Sequence, residues 1–257
     1  MAIHLRQICL VADRLHPAVE DLGEVFTIPV CHVDPAVGKF GLENTLLSVG
    51  SQFLEVVAPT RENTAAGRFL DRRGGNGGYM VICQAETLQE QADAKDRAMA
   101  NNVRVAFESD HGTWNIMQLH PADMGASFFE IDWDEEADVM GNWQPAGGKG
   151  WREIPSTEVI TGIVAVELQS QEPEAMAERW AAVAGQPVTY PDGVPTVGLA
   201  NANLRFVPVR DGRGDGLGGL DIRVRDRARL LAQAEARGVR VSDEQLSICG
   251  TRFYPVD

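Results

Sequence analysis

Gln7-Ile8-Cys9-Leu10-Val11-Ala12 is an almost unbroken apolar run, the pattern of a strand covered on both faces. Residues 16–26 follow with Val19, Leu22 and Phe26 at helical spacing. Short β-type runs at 30–33, 45–49 and 52–59 come next, punctuated by Gly, Asp and Pro. The order is strand, helix, three strands. It starts again with a strand over 78–84, a polar helix over 87–101 and strands over 103–107, 115–119 and 127–133. Thr87 with Glu90 three residues later has the spacing of a capping box at the start of that helix. A third copy is predicted from a strand at 161–168, a helix at 172–184 and a last strand at 203–209. A compressed fourth runs from a strand at 219–224 through a helix at 225–237 to residues 250–255.

A repeated unit decides the architecture before any single element does. One βαβββ unit leaves a sheet face bare, so units pair to cover it. Four units make an α+β chain of two paired domains, 1–134 and 158–257. Between them, residues 135–157 carry Pro145, Gly147, Gly148, Gly150 and Pro155, a composition that reads as a linker or a strap.

A formal net charge of −14 over 257 residues argues against a nucleic-acid partner or an anionic membrane surface, both of which need clustered Lys and Arg. No apolar run approaches the length of a spanning helix, and no basic segment followed by an apolar stretch opens the chain, so a cytoplasmic location is the default expectation. The four cysteines lack metal-ligand spacing, and Cys9, Cys83 and Cys249 fall in apolar strands, as inert thiols do.

The candidate chemistry sits in strands. In Phe53-Leu54-Glu55-Val56-Val57, alternation puts Glu55 on one face with Phe53 and Val57. A carboxylate there is costly unless a metal, a donor, a proton or a polar ligand meets it. The second unit repeats the feature at Glu130. The third has Arg205 in that place, and the fourth Phe253 or Tyr254. Aligning the first strands matches Gln7 with Tyr79, Gly162 and Gly219, so the polar set Gln7, Glu55, Tyr79 and Glu130 belongs to the first pair of units. His120, before Pro121, stands at a turn into the Glu130 strand; a turn role and an acid–base role both remain open. His4, His16, His32 and His111 read as surface or loop residues. Residues 74–78 (Gly-Gly-Asn-Gly-Gly) precede a strand and lack the Lys-Ser/Thr of a phosphate loop, so a flexible crossover is expected; residues 211–216 read as a mobile turn.

Leu5-Arg6-Gln7-Ile8-Cys9-Leu10-Val11-Ala12, Phe53-Leu54-Glu55-Val56-Val57-Ala58-Pro59, and Leu119-His120-Pro121 with residues 125–132 resemble the vicinal oxygen chelate superfamily, in particular its glyoxalase-like branch. The resemblance implies cup-shaped paired sheets. It also implies a divalent metal held from the first and last strands of each unit, which would make Gln7, Glu55 and Glu130 ligands. Glu55, Glu130, Tyr79 and His120 are the catalytic candidates; a His-Pro turn is similar to one in related epimerases. The family has His where this chain has Gln7 and Tyr79, and a neutral phenol is a poor ligand, so a metal-free cup stands beside the metal site.

What this implies is isomerase or lyase chemistry on a small oxygenated molecule, by carboxylate-assisted proton transfer. The alternative is metal-free sequestration of a small molecule, as in resistance proteins of that superfamily. Ring-cleaving dioxygenase chemistry is excluded, since it needs two His near iron and no His follows His120. Dimerisation, as a homodimer, or a lid function is left for the degenerate second half.

Overall fold

The computed structural model describes residues 2–148, 150–153 and 158–257. The first unit is β1 (Ile3–Val11), α1 (Leu15–Phe26), β2 (Val30–His32), β3 (Leu42–Val49) and β4 (Gln52–Pro59). A helix α2 (Ala65–Arg73) leads to the second: β5 (Gly77–Ala85), α3 (Leu88–Ala100), β6 (Val105–Asp110), β7 (Trp114–Leu119), the short α4 (Pro121–Met124) and β8 (Phe128–Asp134). The third is β9 (Ile160–Ser170), α5 (Pro173–Ala184), β10 (Val188–Thr189), β11 (Thr196–Gly198) and β12 (Asn203–Pro208). The fourth is β13 (Gly216–Val224), α6 (Arg227–Ala236), β14 (Arg240–Ser242), β15 (Gln245–Ile248) and β16 (Thr251–Val256).

The units pair as the repeat implies. One eight-stranded sheet runs β2-β3-β4-β1-β5-β8-β7-β6, the other β10-β11-β12-β9-β13-β16-β15-β14. In each, two first strands meet antiparallel at the centre, and each lies parallel to the last strand of its own unit. The third and fourth units are complete, because β10, β11, β14 and β15 supply strands too short to show as periodic runs.

The helix-bearing faces of the two sheets share one core. Leu22 and Phe26 of α1, Ala94 and Ala98 of α3, Trp180 of α5 and Leu230 of α6 are all buried in it. The helices meet as α1 on α6 and α3 on α5, and β5 approaches β13 so closely that a Cβ on Gly78 would lie 2.2 Å from Leu217 Cγ. Glycine is the residue that fits there. The Thr87–Glu90 capping box forms, each backbone N–H meeting the other's side chain at 3.1 Å.

Two loops differ from expectation. Residues 211–216 are pinned: Arg73, at the end of α2, donates to the Arg213, Gly214 and Asp215 carbonyls at 3.0–3.1 Å, and Gln169 reaches Gly214 O at 2.8 Å. Buried donors consume the carbonyls that a free turn would give to water. Of the glycines at 74–78, Gly77 and Gly78 are strand residues, and Gly74 closes α2 in the left-handed region at φ 71°. No helix among the described residues is long and apolar enough to cross a membrane.

Candidate functional site

The face of the first sheet turned away from the shared core carries Gln7, Cys9 and Val11 of β1, Phe53, Glu55 and Val57 of β4, and Phe128, Glu130 and Asp132 of β8. It is roofed over. Ala66 and Phe69 of α2 and Trp143, Ala146 and Trp151 of residues 135–153 pack onto Cys9, Phe53, Tyr79, Met80 and Ile82 as a second apolar cluster. The segment between the halves is therefore a strap; Lys149 and residues 154–157 lie outside the described residues. Arg6, fully buried, ties the strap down through the Asp138 and Gly141 carbonyls at 3.0 and 2.7 Å, with its guanidinium 4.9 Å from the Trp143 ring.

Glu55 is 6% exposed and well supplied with donors. Gln7 Nε2 donates to its Oε2 at 2.8 Å and Asn44 Nδ2 to its Oε1 at 2.6 Å, while the Cys9 thiol also bonds to it. Gln7 Oε1 accepts from Trp143 Nε1 at 3.3 Å, so the strap, the glutamine and the acid form one chain. Burial pushes the Glu55 carboxyl up, and the bonds from Asn44, Cys9 and Gln7 draw it partway back.

Glu130 is supplied differently. It is 3% exposed, pairs with Gln118 across the ladder and shares its face of β8 with Asp132, while its Oε2 is buried without a hydrogen-bond partner among the described residues. Burial pushes its pKa up to about 7, and the charge of Glu55 on the same face pushes the same way. The first domain thus brings Glu55 and Glu130, from separate units, within electrostatic reach of each other. A cleft of about 660 Å³ near Asp13, Asn76, Arg213 and Gly250 lies where the halves join, away from both acids.

Register corrects two alignments. Cys9 pairs with Glu55 and Gln7 with Phe53, whereas Ile82 pairs with Glu130 and Met80 with Phe128. The counterpart of Gln7 is Met80. Tyr79 is the extra residue of a bulge, skipped between the Cys9–Met80 and Leu10–Gly78 pairs, and corresponds to Arg6, skipped in the same way on β1. Its ring stacks edge-on against Phe69 and Phe128 at 4.9 and 5.2 Å, and burial holds its phenol protonated. In the second domain Arg205 pairs with Glu167 and Tyr254 with Asp221, so Tyr254 matches Glu130, Ala165 replaces Gly162 as the counterpart of Gln7, and Phe253 faces the core. Glu167 there is enclosed by Arg252 (2.9 Å), Tyr254 (3.0 Å) and Arg205 (3.4 Å).

His120 caps α4, its Nδ1 accepting from Ala122 N at 3.2 Å. The structure uses it at the turn and does not place it with the acids. A divalent ion does not fit the donor set. Both Glu55 oxygens take amide protons, the Gln7 carbonyl takes an indole proton, and a thioether stands opposite Gln7. Among the described residues no group of three or more His, Cys, Asp or Glu is placed to hold a metal.

Asn44, Gln118, Asp132 and Trp143 escaped the sequence reading. Asp132 had a signal: Glu130, Asp132 and Asp134 alternate in one apolar strand, putting three acids on one face. The amides had none, since Asn or Gln on a strand looks like any polar position.

The model of the glyoxalase-like domain family matches residues 8–184. Among solved structures, a hypothetical protein from Staphylococcus aureus is similar over the whole of both chains, with TM-score 0.63 at 15% identity. A triple mutant of 4-hydroxymandelate synthase from Streptomyces coelicolor matches 93% of this chain and 76% of its own, with TM-score 0.64 at 16% identity. Methylmalonyl-CoA epimerase from Mycobacterium tuberculosis matches 51% of this chain and 87% of its own, with TM-score 0.44 at 22% identity. At these identities the likeness is one of fold. No curated protein matches.

Proposed function

Since the chain belongs to the glyoxalase-like domain family, within the vicinal oxygen chelate superfamily, we propose that its first cup moves a proton at a carbon next to a carbonyl in a small oxygenated substrate. This is isomerase or lyase chemistry, with Glu130 as the acid–base group. The observation that carries the reading is the buried, unpartnered Glu130 Oε2 on a carboxyl titrating near neutrality, where a group can both take and return a proton. In the forward step the C–H proton passes to Oε2 and the electron pair moves onto the carbonyl oxygen as an enolate. Returning the proton to the other face isomerises; expelling a group from the adjacent carbon eliminates.

Glu55 has a supporting part. Its oxygens are occupied by donors, so it orients the Gln7 amide, whose second N–H, with the Tyr79 phenol, is available to the enolate oxygen. The substrate takes the place of Trp143 on Gln7 and of Trp151 on Phe53, so the strap lifts to admit it. The aromatic surroundings, Phe53, Phe69, Phe128 and the two tryptophans, suit a partly apolar molecule and also support the second reading, sequestration without chemistry.

The test is loss of the α-proton NMR signal in D2O across a panel of 2-hydroxy and 2-oxo carbonyl compounds and branched 1,3-dicarbonyls. Exchange catalysed by the protein and reduced at least ~100-fold in Glu130→Gln supports the enzyme. Saturable binding without exchange supports sequestration.

A further inference from the structure

The proton chemistry of the first cup leaves the matching face of the second sheet without a task. We infer that this face is a binding site for a small oxyanion, a carboxylate or a phosphate, held by Arg205 and Arg210 on the open side of Glu167. The inference does not depend on the roles given to Glu55 and Glu130.

The two cups differ position by position. Register matches Cys9, Phe53, Met80 and Phe128 of the first with Glu167, Asn203, Gly219 and Arg252 of the second, and Arg205 stands where the first has Glu55. The mostly apolar floor beneath Trp143 and Trp151 has no counterpart in the second half, where charged and polar side chains and a glycine take its place. This floor stays within reach of water: the Arg205 side chain is 24% exposed and that of Arg210 53%. An ion network stabilises a fold no better than apolar packing of similar volume, so stability alone does not account for the exchange.

Charge and geometry give the site its sign. Glu167 is fully buried and is shared by three guanidiniums. Its Oε1 accepts from Arg252 at 2.9 Å and from the Tyr254 hydroxyl at 3.0 Å, while Arg205 and Arg210 both lie against Oε2, at 3.4 and 3.5 Å. Asp221 also meets Arg205, and Asp211 meets Arg252 at 3.7 Å but is shared with Arg73 and Arg213. Arg210 has Glu167 as its one carboxylate and forms no hydrogen bond among the described residues. The Arg205 Nε is buried and likewise unmet there. Two guanidiniums against one oxygen repel each other. An anion on their open side offsets that repulsion and accepts their outward N–H groups, and the planar fork of arginine matches the oxygens of a carboxylate or a phosphate. The chain carries a net charge of −14, so its long-range field repels anions, and binding here has to come from these local contacts.

The test is an NMR titration of protein 15N-labelled in arginine, with inorganic phosphate and separately with succinate, at pH 6 and constant ionic strength. The Nε–H signals of Arg205 and Arg210 are assigned by their absence in Arg205→Lys and Arg210→Ala. They are expected to move and saturate, at or below about 1 mM, with at least one of the two anions. Arg210→Ala is expected to raise the half-saturating concentration at least ~10-fold, the loss of one charge-assisted bond. Arg104→Ala, which removes an arginine paired with Asp123 in the first domain, is expected to leave it unchanged. Saturation by phosphate alone assigns a phosphate-bearing ligand, and by succinate alone a carboxylate. If Arg205→Lys does not fold, the Arg210 signal and the Arg210→Ala variant still decide. No saturable shift up to about 20 mM of either anion overturns the site. Saturation that Arg210→Ala leaves unchanged, or that Arg104→Ala weakens equally, overturns it as well.

Discussion

Glu55 and Glu130 occupy matching places in matching strands, yet their surroundings give them different properties. Three donors hold Glu55, while Glu130 stands beside a second buried acid, Asp132, and keeps an open oxygen. Both acids were legible in the sequence because a carboxylate in an alternating apolar strand is conspicuous. Tyr79 was placed one position off because a β-bulge leaves no mark on the pattern of apolar residues. The titrations carry a consequence for stability. Glu55, Glu130 and Asp132 hold protons more tightly folded than unfolded, so their contribution is complete below the ordinary carboxylate range near 4 and is lost as pH rises through each raised value, about 7 for Glu130. At about 1.4 kcal/mol per proton and pH unit, the loss reaches a few kcal/mol. Thermal melts are expected to fall by roughly 5–10 °C from pH 5 to pH 8, and Glu130→Gln is expected to flatten that slope. Carboxyls held low against burial by hydrogen bonds, such as Asp211, drawn down to about 2 by Gln169 and then Arg213, act below this window. A melting temperature rising from pH 5 to pH 8 would contradict the assignment.

Elements explain why the acids stay dry. The β1 and β4 strands were visible as apolar runs, but α2 was not read, since its apolar positions are few: Ala66 and Phe69 are buried and most of the rest is polar. The strap has no periodicity at all. Its position depends on Trp143 and on Arg6, a bulge residue reaching backbone carbonyls 132 and 135 residues away. Trp143 is fully buried, and Trp143→Ala is expected to cost about 3–5 kcal/mol in urea unfolding. The same variant is expected to bind an apolar fluorescent dye that the parent excludes, because the lost indole uncovers Gln7 and opens the apolar cluster beneath the strap. A stability change below about 1 kcal/mol, with no dye binding, would mean that the strap does not seal the cup.

At the scale of the whole molecule, four repeats were legible while the packing of the pairs was not, because helix faces that meet another domain look like helix faces that meet their own sheet. The shared core makes the two cups one structure. The second has exchanged the acids for an ion network around Glu167, an arrangement that serves the fold without an open carboxyl. Calorimetry is expected to show a single unfolding transition with agreeing calorimetric and van't Hoff enthalpies. Gly78→Val, which forces β5 from Leu217, is expected to destabilise by at least about 1–3 kcal/mol. Two separated transitions in the parent would contradict a common core.

All of the proposed chemistry depends on an acid that changes charge near neutrality. The direct measurement is the 13C shift of the Glu130 carboxyl carbon, assigned by its absence in Glu130→Gln and followed from pH 4 to pH 9. The account expects a midpoint near 7. A midpoint in the ordinary range, near 4, would leave Glu130 a permanently charged carboxylate and remove the basis of the proposed site.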